Sequence, residues 1–458
     1  MNTNKPNNPT RREFLQATGG FAAATMLGGL RLPEVHPGGS DEIRVALVGC
    51  GGRGSGAAVN AVSAKGGNIK LVAMADAFQD RLSSSYDNLS KDYGKFMDVP
   101  PERRFVGWDA YKHAMDALRP GDVVILTTPP AFRWVHFGYA ISKKLNVFME
   151  KPVTVDGPTS KRMLALADQS VAAGLKVGVG LMSRHSKALQ ELQKRIRDGQ
   201  IGDVILMRGY RMHGPAGFFE SPTKPDDISH LDYQVRRFHS FLWASGGCFN
   251  DFYIHIVDHL SWMKNAWPTG AQALGGRHFR SDGGVPMVDQ NFDTYSVEYT
   301  FGDGSKFLFD GRCENGTAGI YSSYVHGTKG IAIASAANDC GTPSSIFKGQ
   351  NPAGTPIWQS TDTSNPYQNE WDELIDAIRH DRPYNEVKRG VQASLTSSLG
   401  RMAAHTGQIL TFDDMLNCDH EFAPGLDTLT ESTPAPLLPG PDGKYPVPMP
   451  GVTTKHEY

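Results

Sequence analysis

Apolar runs and amphipathic stretches alternate through the first third of the chain. Residues 43–48 are apolar apart from Arg44, and residues 55–64 beyond them are small and helix-compatible. A second apolar run at 69–75 is followed by a polar stretch of helical character to about residue 93. Residues 105–106 predict a short edge strand, 109–118 a helix and 122–127 a buried strand. Residues 131–144 read as a helix, 146–149 as a strand and 176–181 as the last strand of the set. Strands alternating with helices predict a doubly wound parallel sheet.

The pattern changes after a helix at 186–199, which stops near Gly199. Apolar or alternating strands follow at 204–212, 271–279, 294–301 and 306–312, with turn signals at 301–305 and 327–330. They predict a large, mostly antiparallel sheet. One face would pack on helices and the other would stay open to substrate or a second subunit. Two amphipathic helices, 367–380 and 388–407, are split by Arg382-Pro383. From residue 424 the chain is rich in Pro, Gly and Thr without apolar periodicity. That composition predicts a disordered tail or an arm clasping another subunit.

At 458 residues the chain is too long for one ordinary core, so two domains are expected. A net charge of −2 leaves no electrostatic footprint for nucleic acid. No apolar run is long enough for a standard transmembrane helix. Cys50, Cys248, Cys313, Cys340 and Cys418 are scattered and never spaced CxxC. Their spacing argues against a disulfide framework and a zinc knuckle.

Near the N-terminus, Thr10-Arg11-Arg12-Glu13-Phe14-Leu15 is a twin-arginine pattern, followed by a modestly apolar segment at 17–30. It resembles a Tat export signal and predicts a periplasmic or secreted protein. Gln16 stands where such signals often carry Lys, and no clean A-x-A cleavage site follows. A membrane tether formed by an uncleaved signal therefore stays open.

The first apolar run leads directly into Gly49-x-Gly51-x-x-Gly54. Glycines there let the backbone turn sharply and bring a pyrophosphate against a helix N-terminus. Asp76 ends the second run, 22 residues after Gly54. An acidic residue at about that spacing suits a ribose 2′-hydroxyl, and no Arg follows it directly, so NAD is favoured over NADP. Thr128 and Lys151 stand, like Gly49 and Asp76, at the carboxyl ends of strands, where such sheets bind ligands. Lys151, held before a Pro, is placed to hydrogen-bond a substrate hydroxyl and the cofactor together; a solvated surface Lys is the plain alternative.

Asp251, His255 and Asp258 or His259 recur at helical spacing on one face. Three readings are open. A neighbouring Asp would orient a His as a base near neutral pH. The same groups would serve as core hydrogen bonds. His255-Ile256-Val257-Asp258-His259 also resembles an H-x-x-E-H zinc-hydrolase motif with Asp for Glu.

Together, GxGxxG with the later Asp76, Thr128-Pro129-Pro130, Glu150-Lys151-Pro152 and the D-x-x-x-H-x-x-D of Asp251, His255 and Asp258 resemble the Gfo/Idh/MocA oxidoreductases over about residues 43–410. The stretch around the EKP lysine is similar to secreted members, with Asn146 where the family often has His. The resemblance implies an N-terminal Rossmann domain at 41–175 and an α+β substrate and oligomerisation domain at 176–423. Helices within 366–407 would pack back by the first domain, after a signal and linker at 1–40 and before a Pro-rich tail at 424–458. The cofactor set is Gly49, Gly51, Gly52, Arg53, Gly54, Asp76, Thr128, Pro129, Glu150 and Lys151. His255 is implied as the base, with Lys151 and Asp251 positioning the hydroxyl. Substrate contacts are expected from Arg184, His185, Arg211, Tyr253 and Arg277, with Tyr253 in the place of a His of secreted relatives.

The expected function is an exported, NAD-dependent hydride transfer from a secondary hydroxyl of a sugar or glycoside, by a homodimer or homotetramer. Because free NAD is not expected outside the cytoplasm, the nucleotide would be held tightly and restored within each cycle. Alternatives are a glycosidase using transient oxidation, a non-catalytic nucleotide-binding protein and a zinc hydrolase.

Overall fold

A computed structural model describes residues 41–277, 281–282 and 284–458. The twin-arginine segment and Phe279 of the expected 271–279 strand lie outside the described residues. Six strands form the first sheet: β1 (Ile43–Val48), β2 (Ile69–Asp76), β3 (Arg104–Val106), β4 (Val123–Leu126), β5 (Asn146–Met149) and β6 (Val177–Val179). Their order is β3-β2-β1-β4-β5-β6, and every pairing is parallel. This is the doubly wound topology with its switch point between β1 and β4.

The two faces of β1 enter different cores. Val45 and Leu47 join a cluster containing Trp371, Leu374, Ile375 and Ile378. Ala46 and Val48 join a larger cluster that runs on into the second domain. The helix Pro366–Arg379 therefore closes one face of the first sheet, as expected of the returning segment. The shared cluster makes the domain seam a continuous apolar contact.

The second sheet has nine strands: β7 (Val204–His213), β8 (Gly270–Gly276), β11 (Thr294–Thr300), β12 (Lys306–Cys313), β13 (Ile320–Gly327), β14 (Gly330–Ser335), β15 (Ser345–Lys348), β16 (Trp358–Gln359) and β17 (Leu410–Thr411). A small hairpin, β9 (Ser281–Asp282) with β10 (Val285–Pro286), stands apart. The order is β16-β15-β14-β13-β7-β12-β11-β8-β17, antiparallel except where β7 meets β12. Alternate residues of β12 are buried, which is the half-covered pattern expected.

Two elements depart from expectation. The helix expected from 388 is Val387–Thr406, and it is buried almost throughout despite its many hydroxyls. Ser394, Ser397 and Thr406 donate to the carbonyls of Gly390, Ala393 and Met402 one turn back, so they enter the core already satisfied. The tail beyond 424 is the larger correction. It lies on its own chain, with Leu426, Ala435, Leu437, Tyr445 and Glu457 buried. Spaced apolar anchors hold it, a signal that a search for periodicity misses.

Candidate functional site

The turn after β1 has the geometry its glycines suggested. Gly49 has φ +99°, and a Cβ on it would stand 2.8 Å from the Thr127 carbonyl carbon. A Cβ on Gly54 would lie 2.0 Å from the Gly49 oxygen, so the helix Gly52–Val62 packs directly on the turn. Gly51 and Gly52 have nothing within 4 Å of a built Cβ. Thr127 Oγ1 fastens the turn by donating to the Gly49 oxygen at 2.7 Å. No acidic side chain occupies the first turn of the helix, which suits an anion at its N-terminus.

A cleft of about 640 Å³ opens from this turn. Gly49–Ser55, Asp76, Trp108, Thr128, Pro129 and His239 line it. Asp76, at the end of β2, accepts from the amides of Cys50 at 2.7 Å and Phe78 at 2.9 Å. Burial raises its pKa, against the pull of these two bonds. Thr128 Oγ1 meets His136 Nδ1 at 3.1 Å, and burial holds that His near pKa 3, hence neutral. A turn open at Gly51, a helix start free of acid and an acidic acceptor at the end of β2 together fit a nicotinamide dinucleotide.

The cleft continues at His239 into a polar cluster at the domain seam. The Phe218 amide donates to His239 Nδ1 at 3.2 Å, which leaves the proton on Nε2, 3.0 Å from Asp251 Oδ2. Lys151 Nζ donates to the Asp251 backbone oxygen at 2.6 Å and lies 3.6 Å from Oδ1. Burial would raise the Asp251 pKa, but Lys151 and the His239 bond hold it well below the carboxylate range. His255 is buried, and its Nδ1 has no hydrogen-bond partner among the described residues. Desolvation lowers its pKa to about 3, with Asp339 and Asp258 opposing and Lys151 and Arg211 assisting. The ring is a neutral, unprotonated base at ordinary pH.

Arg211 of β7, Tyr321 of β13 and Asp339 of the loop after β14 complete the cluster. Asp339 accepts from Tyr321 and lies 3.9 Å from Arg211. Arg211 donates to the Phe252 oxygen and sits over the Tyr321 ring at 4.6 Å. Sequence reasoning missed His239, Tyr321 and Asp339. Each stands in a segment without a motif and reaches the site only through tertiary packing.

Other expected residues are placed elsewhere. Arg53, in the cleft lining, pairs with Glu150 at 2.5 Å and Glu370 at 3.4 Å, so the predicted cofactor contacts Arg53 and Glu150 engage each other. Arg184 holds Asp258 through Nε at 2.9 Å and Nη2 at 2.8 Å, which engages both in a buried ion pair. His185 lies between Glu373 at 2.7 Å and Glu386 at 3.4 Å. Arg277 donates to the Asp289 oxygen at 2.5 Å. Tyr253 is fully buried against Phe309 and Phe249, its hydroxyl 3.3 Å from Cys313 Sγ. Phe249–Tyr253 forms a π-turn ahead of the α-helix Ile254–Lys264, and the turn carries Tyr253 into the aromatic core. The zinc reading loses its partners as well, because His259 Nε2 bonds Ser323 Oγ at 2.8 Å and Asp258 is held by Arg184.

No family model matches the chain. Among curated proteins it is 26% identical over 299 residues to Inositol 2-dehydrogenase 4 of Saccharopolyspora erythraea, covering 64% of this chain and 79% of that one. It is 29% identical to scyllo-inositol 2-dehydrogenase (NAD(+)) of Bacillus subtilis, over 43% of this chain and 54% of that enzyme. Among solved structures, the aldose-aldose oxidoreductase of Caulobacter crescentus matches with TM-score 0.59 at 18% identity, covering 81% of this chain and 99% of that one. Myo-inositol 2-dehydrogenase of Lactobacillus plantarum matches with TM-score 0.57 at 19% identity, over the same 81% and 99%. The relatives and neighbours of this chain are thus inositol and sugar oxidoreductases of the Gfo/Idh/MocA type that its motifs resemble, and its two-domain fold is theirs.

Proposed function

We propose that the chain is an NAD-dependent oxidoreductase that moves a hydride between a secondary ring hydroxyl of a cyclic polyol or sugar and a tightly held nicotinamide. The observation that carries this reading is the joint at His239, which lines the nucleotide cleft and also bonds Asp251 of the Lys151–Asp251 pair. The inositol and aldose oxidoreductases among the relatives support the substrate class.

The glycine turn and Asp76 would hold the dinucleotide, whose nicotinamide supplies the hydride acceptor when bound. Lys151 is fixed by the Asp251 carbonyl, so its ammonium is oriented before a substrate arrives. It is placed to stabilise negative charge developing on the reacting oxygen. His255, a neutral imidazole close enough to feel the Lys151 charge, is placed to take the hydroxyl proton. Asp339, Tyr321 and Arg211 supply acceptors and donors for the remaining ring hydroxyls.

Export through the Tat route is part of the reading and rests on Arg11-Arg12 and the segment after them. Fractionation of cells carrying the wild-type and Arg11→Lys/Arg12→Lys chains tests it, and an unchanged distribution would remove it. For the reaction, the loaded protein is offered ring polyols, free sugars and glycosides while nicotinamide absorbance and product mass are followed together. A keto product with reduced cofactor is expected. Free aglycone with unchanged cofactor would move the assignment to transient-oxidation glycoside cleavage, and no product from any of them would reject it.

A further inference from the structure

Residues 418–458 describe a closed path. The segment leaves the first domain at Glu421, which pairs with Arg162 at 2.5 and 2.8 Å, and at the Phe422 amide, which donates to Asp156 at 3.0 Å. It next passes the nucleotide cleft, where Leu426, Asp427 and Leu429 share the lining with the glycine turn, Asp76 and Trp108. It then crosses the second domain. Gln234 Nε2 donates to the Leu437 oxygen at 2.7 Å, Tyr445 packs on Phe241 at 5.0 Å, and Gln290 donates to the Pro446 oxygen at 2.7 Å.

The path ends where it began. Tyr458 lies 5.2 Å from the Phe422 ring, and His456 meets Asp419 at 2.8 Å. Next to them Glu457 is buried against Arg401 at 2.7 and 2.8 Å and against His405 at 2.7 Å. Arg401, fully buried, also donates to the oxygens of Val155 and Gly246, which tie the lock to both domains. Burial raises the Glu457 pKa, but Arg401 and His405 outweigh it and hold it down to about 2, so the lock stays charged.

We propose that residues 422–458 are a strap that retains the dinucleotide. Leu426, Asp427 and Leu429 belong to the nucleotide site, and the Glu457 lock holds them there. The inference rests on the cofactor reading above. Its physical content is kinetic: a nucleotide behind a wall pinned at both ends leaves only when the strap peels, so the strap governs release more than capture. The tail thus serves the nucleotide site of the chain that carries it.

The test uses the full chain, loaded with NAD, freed of excess by gel filtration and followed as nucleotide remaining with protein over time. Leu426→Ala/Leu429→Ala removes one buried and one half-buried apolar side chain and should release the nucleotide about ten- to a hundredfold faster. Its thermal melt and far-ultraviolet dichroism should stay those of a folded chain. Hydrogen exchange on the wild type should slow at the amides of 424–430 on loading. Glu457→Gln should also speed release, with faster exchange along 424–458; where that variant does not fold, the leucine variant decides. Release at the wild-type rate from the folded leucine variant would overturn the strap. A wild-type chain that neither carries nor takes up NAD would instead overturn the cofactor reading.

Discussion

The His255 ring is buried, and its neutrality is set by its surroundings. Replacing it with Ala should lower turnover by about 10²–10⁴-fold while leaving bound nucleotide in place, read as single-turnover rate beside nucleotide content. Equal turnover would remove His255 as base. Because burial holds its pKa near 3, the acid limb of kcat/KM should fall far below the usual histidine range near 6.5. A limb near 6.5 would assign the base to another group. At the other end of the cleft, Asp76→Ser should weaken NAD and relieve the rejection of NADP, since Arg81 lies close enough to feel the Asp76 charge. Binding titrations of both nucleotides check this. Lys151, Asp251 and His255 were legible because each sits in a short motif whose spacing is its signal. His239 was not, because its role exists only through Phe218, Asp251 and the stacked Phe252 ring at 5.3 Å.

The strand–turn–helix at 43–62 shows what an element can reveal in advance. Its run of apolar residues, its glycines and its small helical residues all specify one close packing, so chain order sufficed. Gly54→Ala tests that packing. The new Cβ would stand 2.0 Å from the Gly49 oxygen, so turn and helix must part. Overpacking of this kind costs about 1–3 kcal/mol, seen as a lower denaturation midpoint, and nucleotide content should fall with it. The segment 249–264 shows the converse. Helical spacing put Asp258 beside His255 and the resemblance put Tyr253 in the site, whereas the structure sends Tyr253 into the aromatic core and Arg184 claims Asp258. Nothing in a one-dimensional pattern marks a wide turn. The helix Val387–Thr406 hid its burial in a similar way, since its hydroxyls look like surface until their carbonyl partners are known.

Across the whole molecule, ionic locks join segments far apart in sequence. His185, between β6 and the helix Lys187–Arg197, faces Glu373 and Glu386. Burial would lower its pKa, but the two carboxylates raise it to about 10, while both acids are drawn down to about 2. A raised His contributes stability that is fully present below its unfolded value near 6.5 and lost as pH rises through about 10. The depressed acids contribute above their unfolded value near 4.5 and lose that as pH falls through about 2. The stability gap between wild type and His185→Gln should therefore be widest between about pH 4.5 and 6.5 and close towards pH 10. Urea denaturation across that range measures it, and a gap that widens with rising pH would contradict the assignment. The central claim is hydride transfer from a ring carbon to a nucleotide held in the cleft. The most direct measurement offers the NAD-loaded protein a cyclic polyol carrying deuterium on its carbinol carbons and determines the mass of the nicotinamide recovered from the protein. One deuterium on the reduced cofactor, matched by loss of that deuterium and of one hydroxyl proton from the polyol, is the predicted result. A loaded protein whose nicotinamide stays unlabelled across polyols, free sugars and glycosides would contradict the account.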